Sequence, residues 1–132
     1  MNQPDVRIKL NRPRPVYEPG ELLGFEFRVA GSALGDPTAV EVSIVWYTEG
    51  KGDEDLAVHF FDRVDRSGGG GDFCRPHAYS VALPNAPLSY DGAIVKIRWC
   101  VRVRVFLGRG RDFVTEEPFR LGHVPAATPV AR

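Results

Sequence analysis

Residues that could do chemistry are few in this chain and lie far apart. The three histidines, His59, His77 and His123, stand singly, and no acidic neighbour suggests a metal site. Ser89 does not lie in a Gly-x-Ser-x-Gly nucleophile elbow. Cys100 lies in mid-strand with no histidine in its local sequence to activate it. The sequence therefore predicts no catalytic residue, no metal ligand and no cofactor, and so a protein that is not an enzyme.

Two loops carry residue types that hold ligands in other proteins. The glycine run Gly68–Gly71 lacks the Lys-Ser/Thr that completes a phosphate-binding loop, and no predicted helix follows it. A flexible hairpin tip is the better interpretation. Asp53, Glu54 and Asp55 offer clustered oxygens to a hard cation, but their spacing is not that of a calcium loop. We interpret them as a solvated acidic turn.

Cys74 and Cys100 leave two alternatives open, a disulfide between adjacent strands or two reduced thiols. The N-terminal sequence Met-Asn-Gln-Pro-Asp-Val-Arg lacks the hydrophobic core of a signal peptide. Reduced thiols and a cytoplasmic location are therefore the expectation. Neither cysteine begins a Cys-x-x-Cys pair, so these two residues alone predict no zinc site.

The strongest periodic signal is an alternation near the C-terminal end of the sequence. Its apolar residues are all odd-numbered: Val95, Ile97, Trp99, Val101, Val103 and Val105. Basic residues stand between them, at Lys96, Arg98, Arg102 and Arg104. A strand with this pattern places one side in a core and the other in water.

That basic stripe is the main candidate for a binding site. Arg7 and Lys9 extend it if the first predicted strand lies on the same sheet. We expect one surface, made of Arg7, Lys9, Lys96, Arg98, Arg102 and Arg104, that accepts an acidic or phosphorylated segment of a partner protein. The alternative is cross-strand ion pairing with acidic residues such as Glu26, Glu41 or Glu116.

Length and charge define the class of protein. A chain of 132 residues builds one core, and we expect a domain at residues 1–122 followed by a flexible tail at 123–132. The 17 basic and 17 acidic side chains cancel, so net charge does not favour nucleic acid as a partner. No apolar run is long enough to span a bilayer.

Strand and turn signals alternate along the whole chain, and no convincing amphipathic helix interrupts them. The predicted strands are Val6–Leu10, Leu23–Val29, Ala39–Thr48, Leu56–Val64, a strand ending at Leu83, Ile94–Leu107 and Phe113–Leu121. About seven short strands predict an all-β fold, an immunoglobulin-like antiparallel β-sandwich.

Side-chain alternation assigns the two sides of each predicted strand. We expect the core to include Phe25, Phe27, Val42, Ile44, Trp46, Phe60, Val81, Ile97, Trp99, Val101 and Val103. The fourth strand is expected to bury Leu56 and Val58 as well as Phe60. Val45, Tyr47 and Phe61 are apolar at outward positions, so either a loop covers them or they mark a contact surface.

Two segments resemble signatures of arrestin-like domains. Val16-Tyr17-Glu18-Pro19-Gly20-Glu21-Leu22-Leu23-Gly24 is similar to the Tyr-x-Pro-Gly-Glu-x-x-x-Gly signature of that family. Leu83-Pro84, followed by Pro87-Leu88-Ser89-Tyr90-Asp91-Gly92 and a strand beginning at Ile94, resembles its second signature. The resemblance implies an arrestin-like sandwich and a binding role without catalysis. Two-domain arrestins bind receptors, but this chain has room for one sandwich and is more similar to bacterial sporulation-control proteins.

The function predicted from these features is a non-catalytic protein-interaction module of the adaptor or scaffold type. One alternative is a structural, homo-oligomeric sandwich whose apolar outer residues pair with another copy. A carbohydrate-binding sandwich is a third alternative, which the sequence disfavours because Trp46 and Trp99 are both predicted to point inward.

Overall fold

The chain forms two β-sheets packed face to face. The computed structural model describes residues 4–30, 37–50, 52, 54–65 and 73–122, and within them there are nine strands and no helix. The strands are β1 (Asp5–Leu10), β2 (Val16–Tyr17), β3 (Leu22–Ala30), β4 (Ala39–Gly50), β5 (Leu56–Asp65), β6 (His77–Ala82), β7 (Tyr90–Asp91), β8 (Val95–Leu107) and β9 (Arg111–Leu121). Seven of them correspond to the predicted strands, and β2 and β7 are short additions. The all-β prediction is confirmed.

The smaller sheet has the order β1-β3-β6, and the larger one has the order β2-β9-β8-β4-β5 with β7 beside β8. All pairings are antiparallel except that of β2 with β9. β8 and β4 are central to the larger sheet. Each carries β-branched residues on the face that meets the other sheet, which suits a pleated, buried surface.

The core lies between the sheets and follows the predicted alternation. Trp99, Val101 and Val103 of β8 are at most 1% exposed, and Phe25 and Phe27 of β3 face them from the smaller sheet. Of the other predicted core residues, Val42 and Ile44 are buried, Trp46, Phe60 and Val81 are partly buried against the core, and Ile97 is half-buried.

The predicted burial of Leu56 and Val58 in the fourth strand is wrong. Ile44 pairs with Phe60, whereas its neighbour Val45 pairs with Val58, so β5 has one extra residue, His59, at a β-bulge. A bulge changes which residues of a strand point inward. Phe60 faces the core as expected, but Leu56 and Val58, before the bulge, point outward and are 52% and 55% exposed.

Polar contacts close the side of the sandwich where β5 approaches β6. The His59 ring, turned by the bulge, places Nε2 at 2.7 Å from the carbonyl oxygen of Ala82. The Tyr79 hydroxyl donates a hydrogen bond of 2.8 Å to the Asp62 carboxylate. His59 therefore links β5 of the larger sheet to the end of β6 in the smaller one.

Candidate interaction surfaces

The first signature segment builds a hydrogen-bonded turn. The backbone N–H of Glu21 bonds to the carbonyl of Glu18, and Gly20 has a φ of 83°, as a type II turn requires. The Glu21 carboxylate accepts hydrogen bonds of 2.6 Å from the backbone N–H of Glu18 and from the Arg12 guanidinium. Arg12 also lies 4.5 Å over the ring of the buried Tyr17. The acidic residue of this signature therefore fixes the turn.

The hydrogen bond from Arg12 and the one from the Glu18 backbone lower the pKa of Glu21 from 4.5 to about 2. A carboxylate whose pKa is depressed by folding stabilises the fold above its unfolded pKa and loses that contribution as the pH falls. We therefore expect Glu21 to contribute to the loss of stability between pH 4.5 and about pH 2.

Urea unfolding followed across this pH range tests that expectation. Glu21→Gln should be less stable than the parent at neutral pH, and its stability should fall less steeply on acidification. Glu54→Gln, at an exposed carboxylate of the β4–β5 turn, should follow the parent. Parallel acid profiles for the parent and Glu21→Gln would contradict the assignment.

The second signature segment ties the loop before β8 to the core. Ser89 is 2% exposed, and its backbone and hydroxyl both bond to the backbone of Leu121 at 2.8 Å. The Trp99 indole N–H donates a hydrogen bond of 2.8 Å to the Pro87 carbonyl. Ser89 is therefore a structural residue, in agreement with the absence of a nucleophile elbow.

The remaining candidates for chemistry are dispersed. Cys74 is exposed, Cys100 is buried, and they form no disulfide. Burial raises the pKa of the Cys100 thiol to about 12, so it stays protonated at neutral pH. His77 stacks on Phe27 at 5.1 Å. Among the described residues no cluster of three His, Cys, Asp or Glu side chains could hold a metal ion.

Of the acidic turn considered for cation binding, the structure describes Glu54 and Asp55. Glu54 and Asp55 are exposed, and the backbone N–H of Asp55 bonds to the Thr48 hydroxyl, as in a solvated turn. Asp53, the glycine run at 68–71, His123 and the tail at 123–132 lie outside the described residues.

The arginines of β8 lie on the outer face of the larger sheet and are already paired. Arg102 contacts Glu116 at 2.6 Å, and Arg104 contacts Asp112 at 2.6 Å. Arg98 contacts Glu49 at 2.8 Å and Asp91, of the second signature, at 3.4 Å. Lys96, beside them, is exposed. These three arginines therefore follow the alternative of cross-strand ion pairing, because carboxylates on neighbouring strands neutralise their charges.

Arg7 and Lys9 lie on the other sheet. β1 pairs with β3, and Val6, Ile8 and Leu10 of β1 pack on the core, so Arg7 and Lys9 point outward from the smaller sheet. Because the outer faces of a sandwich point in opposite directions, the six basic residues cannot form one surface. That part of the expectation is corrected, and the reason is the sheet to which β1 belongs.

A second arginine lies directly opposite Arg7. The register of β1 and β3 pairs Arg7 with Arg28 and Lys9 with Glu26. Arg28 and Lys9 make no ion pair with any described residue, and Arg7 has a single exposed contact of 3.4 Å with Asp5. A groove of about 440 Å³ runs along this row and is lined by Arg7, Lys9, Glu26 and Arg28 among others. Arg28 was missed because only the strand register places it beside Arg7.

A hollow of about 290 Å³ lies on the outer face of the larger sheet, and the charged residues Glu41, Arg102, Arg104 and Asp112 are part of its lining. Ser43 and Val45 of β4 are part of its lining, with Val58 and Phe61 of β5 on one side and Val114 of β9 on the other. Val58, Phe61 and Val114 are each more than half exposed. Val45 points outward as predicted, but neighbouring side chains cover it, and it is 1% exposed.

Comparison with known proteins identifies the fold. No family model matches the chain, and no curated protein matches it. Among solved structures it is similar to the crystal structure of Spo0M, a sporulation control protein from Bacillus subtilis, with 15% sequence identity and a TM-score of 0.61. The alignment covers 94% of this chain and 51% of that one, so the chain spans about half of Spo0M's length. The two sheets and this likeness show that the chain has an arrestin-like β-sandwich fold.

Proposed function

We propose that this chain is a non-catalytic protein-interaction module that binds an acidic or phosphorylated segment of a partner protein. The binding surface is the outer face of the smaller sheet, with Arg7, Lys9 and Arg28 as its cationic groups. An adaptor role follows if a second surface of the chain is occupied at the same time. The cytoplasmic location stays a prediction from the sequence.

The observation that carries the proposal is the pairing of Arg7 with Arg28 across β1 and β3. Like charges directly opposite each other destabilise an antiparallel pair. An anion placed between the two guanidinium groups removes that cost and accepts planar, bidentate hydrogen bonds from either of them. A phosphate or a carboxylate is therefore the ligand that this position favours.

The β8 arginines support the choice of surface by contrast. A ligand that binds Arg102 or Arg104 has to displace Glu116 or Asp112 from contacts of 2.6 Å. Arg28 and Lys9 require no such exchange, because neither has an ion-pair partner among the described residues. We therefore assign binding to the β1–β3 pair and leave the β8 arginines as a comparison.

Fluorescence anisotropy with a short labelled peptide tests the assignment. The probe alternates phosphoserine with valine, and the same peptide without phosphate is the reference. The parent protein should bind the phosphorylated probe more tightly, and the affinity should fall as salt rises. Arg7→Glu combined with Arg28→Glu should abolish this preference.

Two further variants make the result specific. Arg109→Glu with Arg111→Glu changes the net charge equally at exposed positions of the β8–β9 hairpin, and it should bind like the parent. Arg102→Gln with Arg104→Gln should also bind like the parent. The proposal is overturned if the Arg7 and Arg28 variant binds normally while folded, or if only the β8 variant loses the probe.

A further inference from the structure

We infer that the open edge of β5 binds an extended, basic segment of a partner protein as a further strand of the larger sheet. Arg7, Lys9 and Arg28 lie on the smaller sheet, so the inference goes beyond the proposed function. It rests on main-chain groups of β5 that have no partner, on the exposed side chains of the same residues, and on the charge around them.

β5 is the last strand of the larger sheet, and β4 pairs with it on one side. The carbonyl of Asp55, directly before β5, accepts a hydrogen bond of 3.0 Å from the backbone N–H of Thr48. Because the main-chain groups of successive residues in an antiparallel strand point to opposite sides, Leu56 and Val58 direct theirs away from β4. Neither residue makes a main-chain hydrogen bond on that side to any described residue. Two N–H donors and two carbonyl acceptors are therefore open to an added strand.

The side chains of the same two residues border the open edge. Leu56 and Val58 point outward from the larger sheet and are more than half exposed, as is Phe61 beyond the bulge. The bulge at His59 limits regular pairing to the stretch before it. Directly opposed residues on neighbouring strands bring their side chains into contact, so apolar residues opposite Leu56 and Val58 would cover them. The segment that fits this edge therefore carries apolar side chains at alternate positions.

The charge of β5 and of the turn before it favours a basic segment. Residues 54–65 include four carboxylates and one arginine. Glu54 and Asp55 are exposed and have no ion-pair partner among the described residues. A second copy that paired through the same edge would bring two acidic strands together, whereas lysine or arginine beside Glu54 and Asp55 is attracted. The occupant we assign is therefore a basic segment of a partner and not another β5.

Fluorescence anisotropy with a labelled peptide tests the inference. In the probe, valine alternates with threonine, and two lysines follow at an amidated C-terminus, which an antiparallel strand places beside Glu54 and Asp55. The probe carries no anion that could bind Arg7 and Arg28. The parent protein should bind it, and the affinity should fall as salt rises. N-methylation of the valines should abolish binding because their N–H groups face β5, whereas N-methylation of the threonines should be tolerated.

Val58→Lys should raise the dissociation constant of the probe by roughly tenfold or more, because it removes an apolar contact and repels the lysines. Val114→Lys is the matched control. Val114 is also more than half exposed on the larger sheet, but it lies on β9, away from the edge of β5. This variant should bind like the parent, and circular dichroism should show that both variants are folded.

The inference is overturned if the parent does not bind the probe, or if the two N-methylated probes bind equally. It is also overturned if Val58→Lys binds normally while folded, or if Val114→Lys loses the probe to the same extent. Sedimentation velocity tests the remaining occupant. A parent that self-associates, together with a Val58→Lys variant that is monomeric, would identify a second copy at this edge and contradict the assignment to a partner segment.

Discussion

Replacing Trp99 with alanine is expected to lower the free energy of unfolding by about 3–5 kcal/mol, which is a large part of the roughly 5–15 kcal/mol of an ordinary domain. Trp99 is 1% exposed at the centre of the larger sheet. Its ring packs at 5.8 Å from that of Phe119 and 6.1 Å from that of His59. Truncation leaves a cavity between the sheets and also leaves the Pro87 carbonyl without its indole donor.

Urea unfolding followed by circular dichroism measures this loss. Trp46→Ala is the matched comparison, because Trp46 is the cross-strand partner of Trp99 but only half-buried. Trp46→Ala should therefore lower the free energy of unfolding by clearly less than Trp99→Ala does. If the two variants were equally stable, Trp99 would not be the centre of the core and the inward assignment of the odd-numbered residues of β8 would fail.

Gly92→Ala is expected to destabilise the fold by about 1–3 kcal/mol, through overlap at a position with no room for a methyl group. A Cβ at Gly92 would lie 2.6 Å from the carbonyl oxygen of Val95 and would also overlap the Tyr90 ring. The Gly92 N–H donates to that same carbonyl at 3.0 Å, so the backbone of the turn before β8 would have to shift.

Gly108→Ala separates this steric effect from the general loss of a glycine. A Cβ at Gly108 meets no atom within 4 Å, so this change should be neutral or slightly stabilising. Thermal unfolding of the two variants side by side gives the comparison. If Gly92→Ala were as stable as Gly108→Ala, the second signature would tolerate a methyl group at a position where the structure leaves no room for one.

The sequence alone determined the class of fold and most of its core. A side-chain period of two depends only on local backbone geometry, so the alternation from Val95 to Val105 predicted β8 without any knowledge of its neighbours. It also predicted the inward face from Ile97 to Val105, whereas Val95, at the start of the strand, is 38% exposed. Turn residues act locally as well: a Pro-Gly pair is typical of a type II turn, and Gly20, which follows Pro19, has a φ of 83°.

Tertiary structure decided the position of everything that depends on pairing. The bulge at His59 arises from the register of β5 against β4, and it turned Leu56 and Val58 outward although their spacing matches that of Phe60. A bulge adds only one residue to a strand, and the amino-acid composition around His59 did not indicate it.

The candidate sites were also decided by pairing. Sequence patterning identified Arg7, Lys9 and the β8 stripe as outward and basic, because outward position follows from alternation. Patterning could not assign the strands to sheets, and it is this assignment that separates β1 from β8. Nor could patterning supply the strand register, which places Arg28 opposite Arg7. Contacts between residues far apart in sequence depend on how the whole chain packs, so only the folded structure distinguished paired arginines from unpaired ones.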